Sequence, residues 1–292
     1  MKSKSIITAI LIVSTLLVGC KKKETKTEEP LPASGTPATG WVKKVGPTTN
    51  NLNRIKFYNS TVGYAVGNSG TVLKTIDGGD SWVNKSIIGL TSAVNYCSII
   101  DTQTVWITYA FGVYKTMNGG NSWASVNTGL SAFIFNEIYF VNSIKGFIAT
   151  SGGIATTNDA GVNWAYVPTT TVTSFTKIKF TDALTGWANG ASDIYKTTDG
   201  GVNWVSTNEG LSQPEHCFFL SNTEAWAAKS LSSDTIRKTT NGGTTWSTVF
   251  TNTSTGSGMK TIWFCDSNMG FQSRTLAQIQ KTTNGGATWT NM

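Results

Sequence analysis

From Ile55 to its end the chain repeats short runs in which apolar and polar residues alternate. They read IKFYNSTVGYAVG from Ile55, CSIIDTQTVWITY from Cys97, IYFVNSIKGFIAT from Ile138, IKFTDALTGWANG from Ile178, CFFLSNTEAWAAK from Cys217 and IWFCDSNMGFQSR from Ile262. Each is an alternating run, a polar turn, and an aromatic residue that opens a second run. Period two places successive side chains on opposite faces of a strand. After residue 40 no segment shows the spacing of three to four that marks an amphipathic helix.

A second phrase follows each pair of runs: KTIDGGDSW ending at Trp82, KTMNGGNSW at Trp123, TTNDAGVNW at Trp164, KTTDGGVNW at Trp204, KTTNGGTTW at Trp246 and KTTNGGATW at Trp289. Successive tryptophans are 41, 41, 40, 42 and 43 residues apart. Each unit therefore predicts strand, turn, strand, Gly-rich turn, strand, box, and a strand beginning with the tryptophan. Four short antiparallel strands per unit predict an all-β chain, a six-bladed β-propeller over residues 41–292. Trp41, Val42, Lys43, Lys44 and Val45 look like a fourth strand with no unit before it. The chain runs out at Trp289-Thr290-Asn291-Met292. The expectation is that the N-terminal strand completes the sixth blade. A seven-bladed ring, the alternative, needs a degenerate blade that no unassigned stretch supplies.

The box has a physical logic. Its acidic or amide residue (Asp77, Asn118, Asp159, Asp199, Asn241, Asn284) can accept backbone N–H groups and hold a tight turn. Its glycines allow positive φ. Its tryptophan (Trp82, Trp123, Trp164, Trp204, Trp246, Trp289) offers a large apolar plate. Asn in three of six boxes keeps the turn-forming oxygen and drops the charge, which suits a structural turn and neither a metal site nor a catalytic acid. The phrase resembles the Asp-box of BNR-repeat propellers, which include bacterial sialidases, sortilin-type receptors, xyloglucan hydrolases and the photosystem II stability/assembly factor family. The longer pattern is most similar to the last. That resemblance implies a protein-binding or assembly scaffold; the others imply glycan binding or glycoside hydrolysis.

Ahead of the repeats, Lys2 and Lys4 precede an apolar run from Ile6 to Val18, too short to span a bilayer as a helix and suited to a signal-peptide core. It ends Leu17-Val18-Gly19-Cys20. This resembles a bacterial lipoprotein signal over residues 1–19, with Cys20 as the lipidated residue. Residues 20–40, rich in charge, Thr, Pro and Gly, read as a flexible linker. No aspartate follows Cys20, which by that resemblance implies an outer-membrane lipoprotein held to the membrane by its lipid.

Charged residues are only 13% of the chain and tryptophans number eleven, which excludes disorder. Of 23 basic and 16 acidic residues, six basic and three acidic precede residue 41, leaving +4 on the repeats. That charge is too small, and too scattered, for nucleic-acid binding. A monomer is expected.

Chemistry is sought in what the repeat does not demand. Asp101, Asp182 and Asp266 share a turn position with Asn59, Asn142 and Ser221. Among the remaining acids are Glu137, Glu209, Glu215, Glu224 and Asp193, an unmarked set for a hydrolytic pair, with Glu137 and Glu215 the candidates. Arg54, Arg237 and Arg274 occupy unlike repeat positions and do not suggest a sialidase triad. Nothing reads as a catalytic motif, a cofactor fingerprint or a metal-ligand spacing, so no catalytic residue, cofactor or metal is assigned and a non-enzymatic protein is favoured. Cys97 and Cys217 stand where other units have Ile; a disulfide between Cys217 and Cys265 is open. The residues just before the first strands, Arg54, Tyr96, Glu137, Lys177, His216 and Thr261, would ring one mouth of a central channel. Phe133 and Phe135 are the candidate exposed aromatics beside them. These form the expected binding face for an envelope protein or a glycan. Of the tryptophans, only Trp263 falls outside a repeated slot.

Overall fold

The computed structural model describes residues 44, 46–130, 133–167, 174–211, 214–230, 234–252, 258–275 and 278–292. The proposed signal, Cys20, the linker and Trp41 lie outside the described residues. Among the described residues twenty-four strands form six four-stranded antiparallel sheets, each built from four strands consecutive in sequence. This is a six-bladed propeller. The innermost strands are Leu52–Phe57, Val94–Ile99, Phe135–Phe140, Phe175–Phe180, His216–Phe219 and Met259–Phe264.

The sixth blade corrects one expectation. Its fourth strand is Thr290–Asn291, paired as Gln280↔Asn291 and Lys281↔Thr290. Two residues suffice, as they do at Val83–Asn84, Ala165–Tyr166 and Val205–Ser206. Lys44 lies at the first blade, its Nζ 2.9 Å from Asp80. The N-terminal segment therefore does not supply the missing strand; the box tryptophan simply precedes a fourth strand of ordinary length.

The core lies in the wedges between blades. One cluster joins Tyr64, Val66 and Val72 of the first blade to Val94, Cys97 and Ile107 of the second. Another joins Phe147 and Ile154 of the third to Phe175, Ile178 and Phe180 of the fourth. An aromatic sandwich recurs there. The second-strand ring of one blade stacks on the first-strand Phe of the next: Trp106 on Phe140, Phe147 on Phe180, Trp187 on Phe219, Trp226 on Phe264, at 3.9–5.6 Å and 7–25°. The box tryptophans Trp164, Trp204, Trp246 and Trp289 close each sandwich edge-on against one or both rings. Such pairs add about 0.5–1.5 kcal/mol each beyond area burial.

The boxes hold this packing. Asp77 accepts Ser81 N–H at 2.9 Å and the Thr75 and Ser81 hydroxyls. Those bonds, the Ser81 hydroxyl foremost, hold its carboxyl far below the usual range. Asn118, Asn241 and Asn284 keep the bond from the backbone N–H and reverse the other: each Nδ2 donates to the hydroxyl four residues on, at 2.8–2.9 Å. Charge is dispensable because a hydroxyl can donate or accept. At Gly161 (φ 82°) a Cβ would come within 2.3 Å of the Trp106 ring, so that glycine brings the box down onto the neighbouring blade.

Candidate functional site: the central channel

Along each innermost strand one alternate set is buried in the wedges: Ile138, Ile178, Ile262, Cys97 and Cys217. The other set faces the axis in two rings. The first comprises Arg54, Tyr96, Glu137, Lys177, His216 and Thr261, opposite Val66, Thr108, Ala149, Asn189, Ala228 and Ser273 in equivalent registers. The second comprises Lys56, Ser98, Tyr139, Lys179, Phe218 and Trp263. The six residues expected at the channel mouth thus occupy equivalent strand positions, deeper than expected. In five blades the residue is the third of a six-residue strand, inside the channel wall and not at its mouth.

A bulge explains both the depth and one wrong expectation. The ladder slips between Leu52 and Arg54, Val94 and Tyr96, Phe175 and Lys177, and Met259 and Thr261, and opposite Phe135–Glu137. The extra residue reverses the alternation before the first ring. Phe135 consequently turns into the wedge and is fully buried. Phe133 is half-buried, edge-on to Tyr166 at 5.5 Å. Neither is an exposed channel aromatic; Phe111, 69% exposed, lies on a blade hairpin away from the innermost strands. In three blades the extra residue is an Asn whose Nδ2 donates to the next blade: Asn53 to Val94 O, Asn95 to Phe135 O and Asn136 to Phe175 O, at 2.7–3.2 Å.

The channel wall is cationic and aromatic. Arg54 lies 5.4 Å from the Tyr96 ring centroid. The Lys56 ammonium sits 5.7 Å from Tyr96 and 5.6 Å from Tyr139. Lys177 and Lys179 donate to Cys217 O and Phe219 O at 3.0 and 2.6 Å, and Lys179 lies 4.9 Å over Phe218. Phe218 meets Trp263 edge-on at 5.7 Å. His216 Nε2 is 3.1 Å from Met259 O. Burial, then the neighbouring Lys56, push the Lys179 amine down to about 8. His216 is lowered by burial and Lys177. Glu137 is raised by burial against the pull of Lys56, a hydrogen bond with Tyr96, Lys177 and Arg54.

The other candidates disperse. Glu137 is enclosed by cations and Tyr96, while Glu215 is exposed on the fifth blade. Arg54 is in the channel, Arg237 sits against Gly210 and donates to Trp246 O, and Arg274 makes a buried ion pair with Asp234. Cys97 and Cys217 are free buried thiols raised to about 11 by burial, so Cys217 is not bonded to Cys265. Glu209, fully buried in the loop after the fourth blade, caps Leu211 N–H at 2.9 Å where Thr128 caps Leu130 in the second blade. Among the described residues no three His, Cys, Asp or Glu side chains converge on a metal site. The second ring was missed by sequence reasoning, although its signal was present: Lys56, Tyr139, Lys179, Phe218 and Trp263 all lie two residues beyond the first ring, and Trp263 was the tryptophan without a slot.

Residues 35–177 match the family model of photosynthesis system II assembly factor YCF48. No curated protein matches the chain in sequence. Among solved structures, a YCF48 bound to a D1 peptide is similar with a TM-score of 0.69 and 19% identity, over 84% of this chain and 83% of that one. YCF48 from Cyanidioschyzon merolae gives 0.67 and 17%, over 84% and 86%. The GH74 xyloglucanase from Xanthomonas campestris gives 0.68 and 12%, over 83% of this chain and 45% of that one. Over the described residues this chain is a six-bladed β-propeller, similar in fold to YCF48 and, over residues 35–177, in sequence to the family of photosynthesis system II assembly factor YCF48.

Proposed function

We propose that this protein is a non-enzymatic, lipid-anchored scaffold of the bacterial cell envelope, tethered to the outer membrane through Cys20, whose channel face binds a protein partner. The observation that carries the reading is the pair of inner rings: twelve wall positions, equivalent from blade to blade, that hold unlike side chains where the repeat imposes no single residue type. The similar YCF48 that carries a D1 peptide supports a protein partner. The signal-like sequence and linker support the anchor. A photo-crosslinking residue at Thr261, inside the channel, tests binding in intact cells: one defined envelope protein should be captured there, and not from Ile76 on the outer edge. Capture equal at both positions refutes it. Cys20→Ser should release the protein from the membrane fraction.

A glycan is the second reading, supported by the stacking surface of Tyr139, Phe218 and Trp263 and by the fold shared with the GH74 enzyme. Hydrolysis of a glycan, abolished by Glu137→Gln, would overturn the scaffold reading.

A further inference from the structure

We propose that the central channel holds a small polyanion, a molecule bearing two or more carboxylate or phosphate groups, seated among Arg54, Lys56, Lys177 and Lys179. The inference concerns the channel alone and does not require a protein partner.

The first argument is where the charge sits. Arg54 and Lys56 come from the first blade and Lys177 and Lys179 from the fourth, yet Lys56 acts on Lys179, and Arg54, Lys56 and Lys177 all act on Glu137 of the third. Lys56 and Lys177 both oppose the protonation of Lys179. The carboxylate that acts on all of them is Glu137, which also interacts with Tyr96. Four cations thus share one buried carboxylate. The ion pairs of the described residues lie elsewhere, at Lys44–Asp80, Lys238–Glu224 and Arg274–Asp234. Like charges held together in a low-dielectric wall raise the free energy of the empty channel, and an anion between them lowers it.

The second argument is reach. Arg54 is exposed, and Lys56, Lys177 and Lys179 keep part of their surface in solvent. The Lys56 ammonium lies over two ring faces at 5.6–5.7 Å, so its donors can turn toward a guest without breaking a strand. Cations contributed by two different blades suit a guest with more than one anionic group. Tyr139, Phe218 and Trp263 line the same layer and suit its carbon skeleton.

The test is calorimetric titration of the folded protein with citrate and with pyrophosphate at matched ionic strength and pH 7. Binding of either supports the site, and which one binds says whether carboxylate or phosphate is preferred. The double variant Lys56→Gln, Lys179→Gln should weaken binding by about 100-fold, two charge-assisted contacts being lost. Lys85→Gln, beside the outer strand of the first blade, should leave it unchanged. Because the double variant removes charge without enlarging the wall, its folding is checked by circular dichroism. In protein carrying ¹³C-methylated lysines, the Lys179 resonance should titrate at higher pH once citrate is bound. Absence of binding by both anions at millimolar concentration, or undiminished affinity in the folded double variant, overturns the proposal.

Discussion

Lys179 is a lysine that the fold keeps at a cost, and the cost can be measured. Its amine ordinarily titrates at 10.5 and is pushed down to about 8, first by burial and then by Lys56. At about 1.4 kcal/mol per unit, the charged form is disfavoured in the folded state by about 3 kcal/mol. Against this, its bond to Phe219 O at 2.6 Å contributes about 1–2 kcal/mol. Lys179→Met keeps the length and removes the charge, so at pH 7 the variant should be about 1–2 kcal/mol more stable than the parent. The pH dependence carries the sign. A folded pKa below the unfolded one means that between about pH 8 and 10.5 the unfolded chain binds more protons, so parental stability rises through that window. The variant lacks that rise. Its advantage should shrink above pH 8 and reverse by pH 10.5, leaving it less stable by the lost hydrogen bond. Urea unfolding of both proteins at pH 7, 8.5 and 10 reads this directly. A variant that is less stable at pH 7, or a difference that does not change with pH, would refute the reasoning that burial and like charge govern this amine. A group that destabilises the fold at neutral pH is what a binding channel is expected to retain.

Three further outcomes follow from the same geometry. Asp159 and Asp199, held at about 2, and Asp77, lower still, stabilise the fold above the ordinary carboxylate pKa and lose that contribution as pH falls through the folded values; replacing all three by Asn, as the second, fifth and sixth boxes already do, should flatten the fall in melting temperature between about pH 4 and 2. Trp187→Ala empties a fully buried sandwich and unpairs Ser221 O, and should cost about 3–5 kcal/mol in urea unfolding, whereas Trp187→Phe should cost less than half of that because Phe147 fills the same slot one blade earlier. Arg274→Met leaves Asp234 buried without its cation and should cost about 3–5 kcal/mol, while the double variant with Asp234→Leu should recover most of it in thermal melts.

Much of the fold was legible because the repeat exposes it. The box phrase requires a turn that only Asp or Asn with two small residues can make, and six copies at one period give six blades. Even the Asp-to-Asn exchanges were readable as structural, since a turn oxygen survives both. Phe135 was misread for a local reason: it was taken as an exposed aromatic beside the first-strand entry, whereas the strand already begins at Phe135 and a one-residue bulge, invisible in the pattern, turns it into the wedge. The closing strand was misread because a fourth strand was expected to be longer than the two residues that Thr290–Asn291 supply. Glu209 and Thr128 show the same limit, since unlike residues perform one capping role that a comparison of side-chain chemistry does not reveal.

The sequence by itself determined the elements, their number and the residues that each blade must bury, because periodicity and turn chemistry act over a few residues and need no partner. It also marked the first inner ring by its failure to repeat. Only the tertiary structure decided that Lys56, Lys179, Tyr139, Phe218 and Trp263 share a channel layer with one another, and that Arg54 and Lys177, some 120 residues apart, act on the same Glu137. Proximity across the axis comes from closing blades around it, and the pKa of an amine such as Lys179 depends on the burial and charges that this closure brings together.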